Sequence, residues 1–319
     1  MELKGGTGPI TMMCSCGAFL EIYKQDKTFR VQTPESIDPN ETNPDAPWVA
    51  SPVADVGSSN LTVARVLLQA RAMLDATMFD EPVDKDAVIA HLHACKETLL
   101  ACEKVATRIT RNIDEIVRQI TEHGITTDNH GRSLNPFPQA PDLDLDCGSF
   151  LLLANRTIKL VCELPTLFLQ LERTDSNFDH LSKRFSEVFG DASAITAFAR
   201  DNAEGVRYLI DLRNFHEHPG NVRTIIENFR VLPDGQIRAP VWYLRAEDKV
   251  DPHPIKHEVA VASNFIRELA EVMFIHLLMH RMSKRIPYFI EQVPEDKIAA
   301  TPPIKYKLSI DLTRIHLAN

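Results

Sequence analysis

The chain has 319 residues, of which 44% are hydrophobic and 25% are charged, a composition typical of a globular rather than a disordered protein. Its formal net charge of -9 argues against broad, non-specific nucleic-acid binding, which depends on a surplus of lysine and arginine. No apolar run approaches the roughly 20 residues that cross a bilayer, and the N-terminus lacks the pattern of a signal peptide. These features predict a cytoplasmic protein with no membrane partner.

The first 59 residues differ from the rest and are predicted to form an N-terminal segment of their own. Residues 19–23 and 28–32 alternate in polarity around a polar turn, which indicates a β-hairpin. The stretch from Thr33 to Asn60 is rich in Pro, Asn, Asp and Ser, as is typical of an extended connector. Residues 60–319 are then expected to form one helical domain.

The six cysteines include no CxxC spacing. Cys95 and Cys102 lie a heptad apart and are predicted to be small core residues. The Cys14-Ser15-Cys16 segment could bind a metal or oxidise, but we predict neither a metal site nor a cofactor. This use of cysteine is typical of a cytoplasmic protein.

Helical sequence is predicted from Asn60, a candidate N-cap, to about Phe79. The clearest element follows, because apolar residues from Val88 to Ile120 recur in alternating steps of four and three, a heptad rhythm. A helix over 84–122 would be roughly 58 Å long at ~1.5 Å per residue. It could form the spine of a bundle or a seam for another subunit.

Further helices are predicted over 150–172 (kinked near Pro165), 178–190, 195–218 and 254–282, from apolar periodicity and Gly or Pro ends. Two β-prone runs, 222–231 and 236–245, flank Pro233-Asp234-Gly235 and predict a hairpin at about 222–245. The tail is expected to hold a strand at 305–312. Together these elements predict a mainly α fold, a helical bundle with a β-hairpin insertion and a small N-terminal β and extended segment.

The sharpest functional signal is the sequence RNFHEH at residues 213–218, late in a predicted helix. Its Arg213-Asn214-x-x-x-His218 pattern resembles the R-[N/D/H]-x-x-x-H signature of HEPN domains, which are helical bundles built on long antiparallel helices. The resemblance extends over about residues 60–285, although only the six-residue motif is specific. It implies a HEPN-like helical bundle that acts as a metal-independent endoribonuclease, as a toxin or defence effector.

The resemblance implies a role for each motif residue: Arg213 stabilises the phosphate, Asn214 positions polar groups, and His218 is the general acid or base. These residue types suit RNA cleavage by the neighbouring 2′-hydroxyl, which leaves 2′,3′-cyclic phosphate ends. Histidine titrates near neutral pH, and an arginine fork stabilises charge on the phosphorus oxygens. Residues predicted to contact the RNA substrate are His216, Arg223 and Arg230.

Helix geometry limits how these residues can meet. Positions five apart differ by about 140° around an ideal helix, so Arg213 and His218 do not share a face, whereas Asn214 and His218 do. Either the last turn loosens at Pro219-Gly220, or two motifs meet across a dimer axis. Since the chain has one such motif, and related enzymes often build their site from two HEPN domains, a homodimer is predicted.

A structural interpretation of the same residues stands beside the enzymatic one. Arg213 and Glu217 could form an exposed ion pair, and His218 could sit at a helix C-terminus where the helix dipole favours it. The protein would then be a non-catalytic HEPN-like helical interaction module, which the acidic net charge favours.

Two histidine pairs, His253/His257 and His276/His280, have the i, i+4 spacing that a zinc site can use. Neither is accompanied by a carboxylate in an HExxH arrangement. We predict no metal site at either pair.

Overall fold

The computed structural model describes residues 3–16, 19–125, 133–169, 171, 177–246 and 251–314. The contacts divide the chain into two compact units. The first consists of Met1–Glu97, Leu160–Thr174 and Leu269–Asn319, and the second of Thr98–Lys159 and Asp175–Glu268. The domain division predicted after residue 59 is a different one and stays a prediction.

The fold is mixed α/β. About 52% of the chain is helical and 17% is in strands, which form several small antiparallel sheets. The prediction of a mainly α, HEPN-like helical bundle is therefore wrong. Three strands of five or six residues escape the sequence pattern, because short strands are defined by their pairing partners more than by their own alternation. They are Met12–Cys16, Val49–Ala54 and Tyr288–Gln292.

A four-stranded antiparallel sheet opens the first unit. In spatial order its strands are β1 (Met12–Cys16), β2 (Phe19–Tyr23), β3 (Thr28–Gln32) and β4 (Val49–Ala54), with the short helix α1 (Pro34–Ile37) between β3 and β4. The predicted hairpin is confirmed by β2 and β3, in which Leu20 lies opposite Val31 and Ile22 opposite Phe29. These four residues belong to one apolar face of the sheet. Strand β4, which contains Pro52, lies at the sheet edge, where proline is usually found.

Asn60 is confirmed as an N-cap, because its Oδ1 accepts hydrogen bonds from the backbone N–H groups of Thr62 and Val63 at 2.8 and 3.1 Å. The helical segment continues as a π-helix over Val63–Leu68 and as α2 over Gln69–Ala76. It ends three residues before the predicted Phe79.

Helix α3 (Lys85–His123) confirms the helix predicted from the heptad pattern. The heptad positions from Val88 to Ile113 are all less than a tenth exposed, whereas Ile116 and Ile120 are half-buried. Gly124 follows with a φ of +67°, as is usual for a helix C-terminus. Because the heptad positions from Val88 to Ile113 are already buried within the chain, this face of α3 packs in the core and is not an exposed surface for another subunit.

The remaining helices are α4 (Leu143–Glu163), α5 (Pro165–Phe168), α6 (Phe178–Phe189), α7 (Ala194–Glu217) and α8 (Ile255–Arg281). They confirm the predicted helices, and the kink expected near Pro165 is a break between α4 and α5. The strands of the second unit are β5 (Val222–Glu227), β6 (Arg230–Val231), β7 (Ile237–Arg238), β8 (Val241–Ala246) and β9 (His253–Pro254). The predicted hairpin is confirmed by the pairing of β5 with β8 and of β6 with β7.

The last part of the chain, in the first unit, forms a two-stranded antiparallel sheet. Its strands are β10 (Tyr288–Gln292) and β11 (Tyr306–Ile310). Strand β11 confirms the strand predicted at 305–312. Within the described residues, no helix combines enough length and apolar character to span a membrane.

Candidate active site

The motif lies in the last turn of α7. Ser193 is the N-cap of this helix, because its side chain accepts a hydrogen bond from the backbone N–H of Thr196, and the helix ends at Glu217. His218 is the C-cap, with φ -128° and ψ 69°, and its backbone N–H still donates to the Asn214 carbonyl at 2.8 Å. Pro219 has no N–H to continue the ladder. The helix therefore ends at Glu217, so that Arg213 lies within the helix and His218 lies just after it.

The Arg213 guanidinium is held by two neighbours on its own helix. Its Nη1 donates to Asn214 Oδ1 at 3.0 Å, and its Nη2 forms an ion pair with Glu217. Its buried Nε has no hydrogen-bond partner among the described residues. The structure thus brings Arg213 and Asn214 into contact. It also contains the ion pair that the structural interpretation of the motif requires.

His218 is exposed, and no hydrogen bond or ion pair holds its ring within the described part of the chain. No such bond links it to Arg213 either. Within one chain, the described residues thus contain no bond between the two predicted catalytic groups.

His216 packs on α4 instead of facing Arg213. Its Nε2 lies 3.4 Å from Asp144 Oδ1, and its ring lies against the backbone at Gly148. A Cβ atom at Gly148 would be 2.8 Å from His216 Cε1, closer than carbon atoms approach without displacement. The absence of a side chain at Gly148 thus makes room for the imidazole. This placement gives His216 a packing role, whereas its predicted RNA contact stays a prediction.

We expect Gly148→Ala to stabilise the protein by about 1 kcal/mol in a His216→Ala background, because alanine is the better helix former by about that amount. In the wild-type background the same change should give no gain, because the new methyl group meets the imidazole. Urea denaturation of the two single variants and the double variant measures this coupling. Equal effects in both backgrounds would contradict the packing.

Arg223 and Arg230, the other predicted RNA-binding residues, differ in their surroundings. Arg223 is exposed in β5 and lies directly opposite Arg245 of β8. Like charges at opposed positions of a sheet repel, and no carboxylate neutralises this pair within the described residues. Arg230, in contrast, lies 3.7 Å from Glu227, which also pairs with Arg238.

Glu227 is the main anion at this end of the hairpin. It accepts a hydrogen bond from the Tyr243 hydroxyl at 2.7 Å, and burial together with this carboxylate raises the pKa of Tyr243. The single negative charge of Glu227 lies beside Arg230 and Arg238, whereas the opposed Arg223 and Arg245 have no carboxylate partner among the described residues.

The first histidine pair does not have the predicted arrangement. His253 belongs to β9 and lies 3.8 Å from Glu258, while His257 is exposed on α8, so the two do not share a helix face. His276 and His280 do both lie on α8, and burial lowers the pKa of each imidazole.

A second polar cluster, in the first unit, was not assembled from the sequence. The residues that the sequence analysis missed are Glu21, Tyr23 and Lys96, which are buried beside Cys14, Cys16 and His93. Only the CxC spacing and the presence of His93 hinted at it. No local pattern marks this lysine as buried, because Glu21, its buried carboxylate partner, lies 75 residues away in sequence.

Comparisons with known proteins give no further assignment. No protein-family model matches the chain, and neither the curated protein sequences nor the solved structures contain a match. The resemblance to HEPN domains is carried by the motif at residues 213–218.

Proposed function

We propose that the protein is a cytoplasmic, metal-independent endoribonuclease whose site consists of Arg213, Asn214 and His218 from two copies of the chain. The observation that supports it is that a guanidinium held in place and an imidazole without a hydrogen bond in the described part of the chain occur at the same helix end. Arg213 is fixed by Asn214 and Glu217, whereas the His218 ring is exposed and bonded to nothing in the described part of the chain. The support comes from the motif and its surroundings, not from the fold class.

The proposed reaction is transesterification. The 2′-oxygen of the RNA forms a bond to the adjacent phosphorus while the bond from phosphorus to the 5′-oxygen breaks. The 2′-hydroxyl loses its proton to a base, and the 5′-oxygen gains one from an acid. His218 serves one of these steps, because imidazole titrates near working pH. Arg213 stabilises the charge that develops on the phosphoryl oxygens, and Asn214 holds the guanidinium in place.

Positive charge near the motif supports an RNA substrate in this acidic protein. Arg223 is the second residue of β5, which packs on α7 through the hydrogen bond from the Thr224 hydroxyl to the Leu212 carbonyl at 2.7 Å. Arg223 lies opposite Arg245, and the two guanidinium groups repel each other. A phosphate bound between the two side chains would offset this repulsion. We assign Arg223 and Arg245 to RNA backbone binding.

The dimer is proposed because no hydrogen bond or ion pair joins Arg213 to His218 within the described part of one chain. A two-fold axis places the same helix end of both protomers together, so that the guanidinium of one chain can face the imidazole of the other. Light scattering at micromolar concentration is expected to give twice the chain mass of 35.9 kDa. A strict monomer would remove the composite site and with it the proposal in this form.

A second candidate function, a non-catalytic interaction module, is favoured by the ion pair between Arg213 and Glu217. In that case the arginine only stabilises the helix end. Incubation of purified wild-type protein with single-stranded and transfer RNA, with and without a chelator, separates the two. Fragments with 2′,3′-cyclic phosphate ends support the enzyme, and intact RNA supports the interaction module.

A further inference from the structure

The sheet of the first unit has a buried polar face as well as its apolar one. Cys14 of β1, Glu21 of β2 and Arg30 of β3 lie side by side, because Cys14 is opposite Glu21 and Glu21 is opposite Arg30 in the strand register. Cys16 follows Cys14 on the same face, since side chains two apart in a strand point the same way. Both cysteines and Glu21 are less than a twentieth exposed.

Helix α3 supplies the other half of this cluster. Lys96 Nζ donates to Glu21 Oε2 at 2.8 Å and His93 Nε2 lies 3.0 Å from Glu21 Oε1. The same Oε2 accepts the Tyr23 hydroxyl at 2.5 Å, and Arg30 Nε donates to Oε1 at 2.8 Å. The Glu21 carboxylate is therefore oriented from several sides.

Three metal-ligating atoms converge here. The Cys16 sulfur, a Glu21 carboxylate oxygen and a His93 imidazole nitrogen all lie within 4.8 Å of one another. Around a tetrahedral zinc ion with bonds of about 2.0–2.3 Å, ligand atoms are roughly 3.3–3.8 Å apart. Shifts of about 1 Å or less would thus close the three around one ion. The buried His93 Nε2 makes no hydrogen bond of good geometry within the described residues.

Cys14 is the candidate for the fourth ligand. Its side chain lies on the same face of β1 as that of Cys16 but outside the group of three ligand atoms, so it would have to move to complete the site. A disulfide is a poor alternative for this pair. Residues two apart in an extended strand have Cα atoms about 6.6 Å apart, near the upper limit for such a bond.

The charges of the cluster also fit a divalent cation. Glu21 and Glu97 offset Arg30 and Lys96, so the group is neutral when both thiols are protonated. A zinc ion adds two positive charges, and loss of the two thiol protons to solvent adds two negative ones. The cluster therefore stays neutral as two sulfur–zinc bonds replace two S–H bonds.

We propose that Cys14, Cys16, Glu21 and His93 bind one zinc ion. Two thiolates, an imidazole and a carboxylate are ligands that zinc accepts in tetrahedral sites. Lys96 and Tyr23 act as the outer shell that orients the carboxylate, as is usual around metal ligands. With four protein ligands and little exposure the site is a structural one, which ties strand β1 at the sheet edge to helix α3.

The test uses the full chain, reduced, freed of metal by a chelator and then titrated with zinc sulfate in a calorimeter. We expect one zinc ion per chain and protection of two thiols from a thiol reagent. Cobalt(II) in place of zinc should give the charge-transfer absorption of thiolate ligands. These measurements on the wild-type protein do not depend on whether a variant folds.

Variants locate the ion. Cys16→Ala and His93→Ala should each weaken zinc binding by at least about 100-fold, since changes even to outer-shell partners cost 10- to 100-fold. The matched control is Cys102→Ala, which removes another fully buried cysteine and should leave binding unchanged. Absence of zinc binding by the wild-type chain, or binding that His276→Ala abolishes and Cys16→Ala does not, would overturn the proposal.

Discussion

Replacement of Arg213 or His218 by alanine is expected to abolish RNA cleavage while leaving the protein folded. Loss of a general acid or base typically costs 10²- to 10⁴-fold in rate, and loss of an oriented charge stabiliser about 10²- to 10³-fold. The ion pair between Arg213 and Glu217 is partly exposed, so its loss should lower the free energy of unfolding by under about 1 kcal/mol. Cleavage rates and urea denaturation of the same preparations measure both effects.

Controls matched to each change separate chemistry from stability. Glu217→Gln removes the ion pair but keeps the guanidinium and its bond to Asn214, so it should reproduce the small loss of stability with a much smaller loss of cleavage than Arg213→Ala. Arg213→Lys keeps the charge but loses the bidentate fork, and it should remain badly impaired. His257→Ala removes another exposed histidine and should cleave at the wild-type rate.

Mixing the two inactive variants tests where the site is formed. If each site takes Arg213 from one chain and His218 from its partner, a heterodimer of Arg213→Ala and His218→Ala chains contains one intact site and one doubly altered site. Random reassortment should then restore about a quarter of the wild-type cleavage. A site contained within one chain would give no restoration.

RNA left intact by the wild type, or cut equally well by His218→Ala, would leave the interaction module as the function.

The largest expected effect on stability comes from Glu21→Gln. Breaking a buried ion pair typically costs about 3–5 kcal/mol, because the remaining charge is left without its partner. We expect the lower end, about 3 kcal/mol, since Glu97 still lies 2.9 Å from Lys96 Nζ. Urea denaturation in the presence of a chelator measures this independently of any bound ion. A loss below about 1 kcal/mol would mean that the cluster contributes little to folding.

The same carboxylate should make stability depend on pH. Burial alone would raise the pKa of Glu21, but its contacts with His93, Lys96 and Tyr23 outweigh burial and hold the pKa well below its usual range. A depressed pKa in the folded state stabilises the protein fully above the unfolded value of about 4.5, and this contribution is lost as the pH falls below it. The wild type should therefore lose stability more steeply than Glu21→Gln between about pH 5 and pH 3. Parallel curves would contradict the assignment.

The sequence by itself determined the elements whose signal is local. Apolar residues spaced alternately four and three positions apart define α3. Alternating polarity on both sides of a polar turn defines the pair of β2 and β3. Helix boundaries at Asn60 and Pro219 follow from side-chain capping and from the missing N–H of proline. These features depend on neighbours a few residues apart, so a single sequence carries them.

Only the tertiary structure decided which distant segments pair. Strands β1, β4 and β10 are short, and each is defined by hydrogen bonds to a partner strand, so the fold is mixed α/β and not a helical bundle. The same holds for the polar groups. Lys96 and Glu21 are buried together because the sheet covers that face of α3, a contact between segments 75 residues apart. The spacing of apolar residues shows which face of a helix is buried, but the residues that contact that face come from distant parts of the chain.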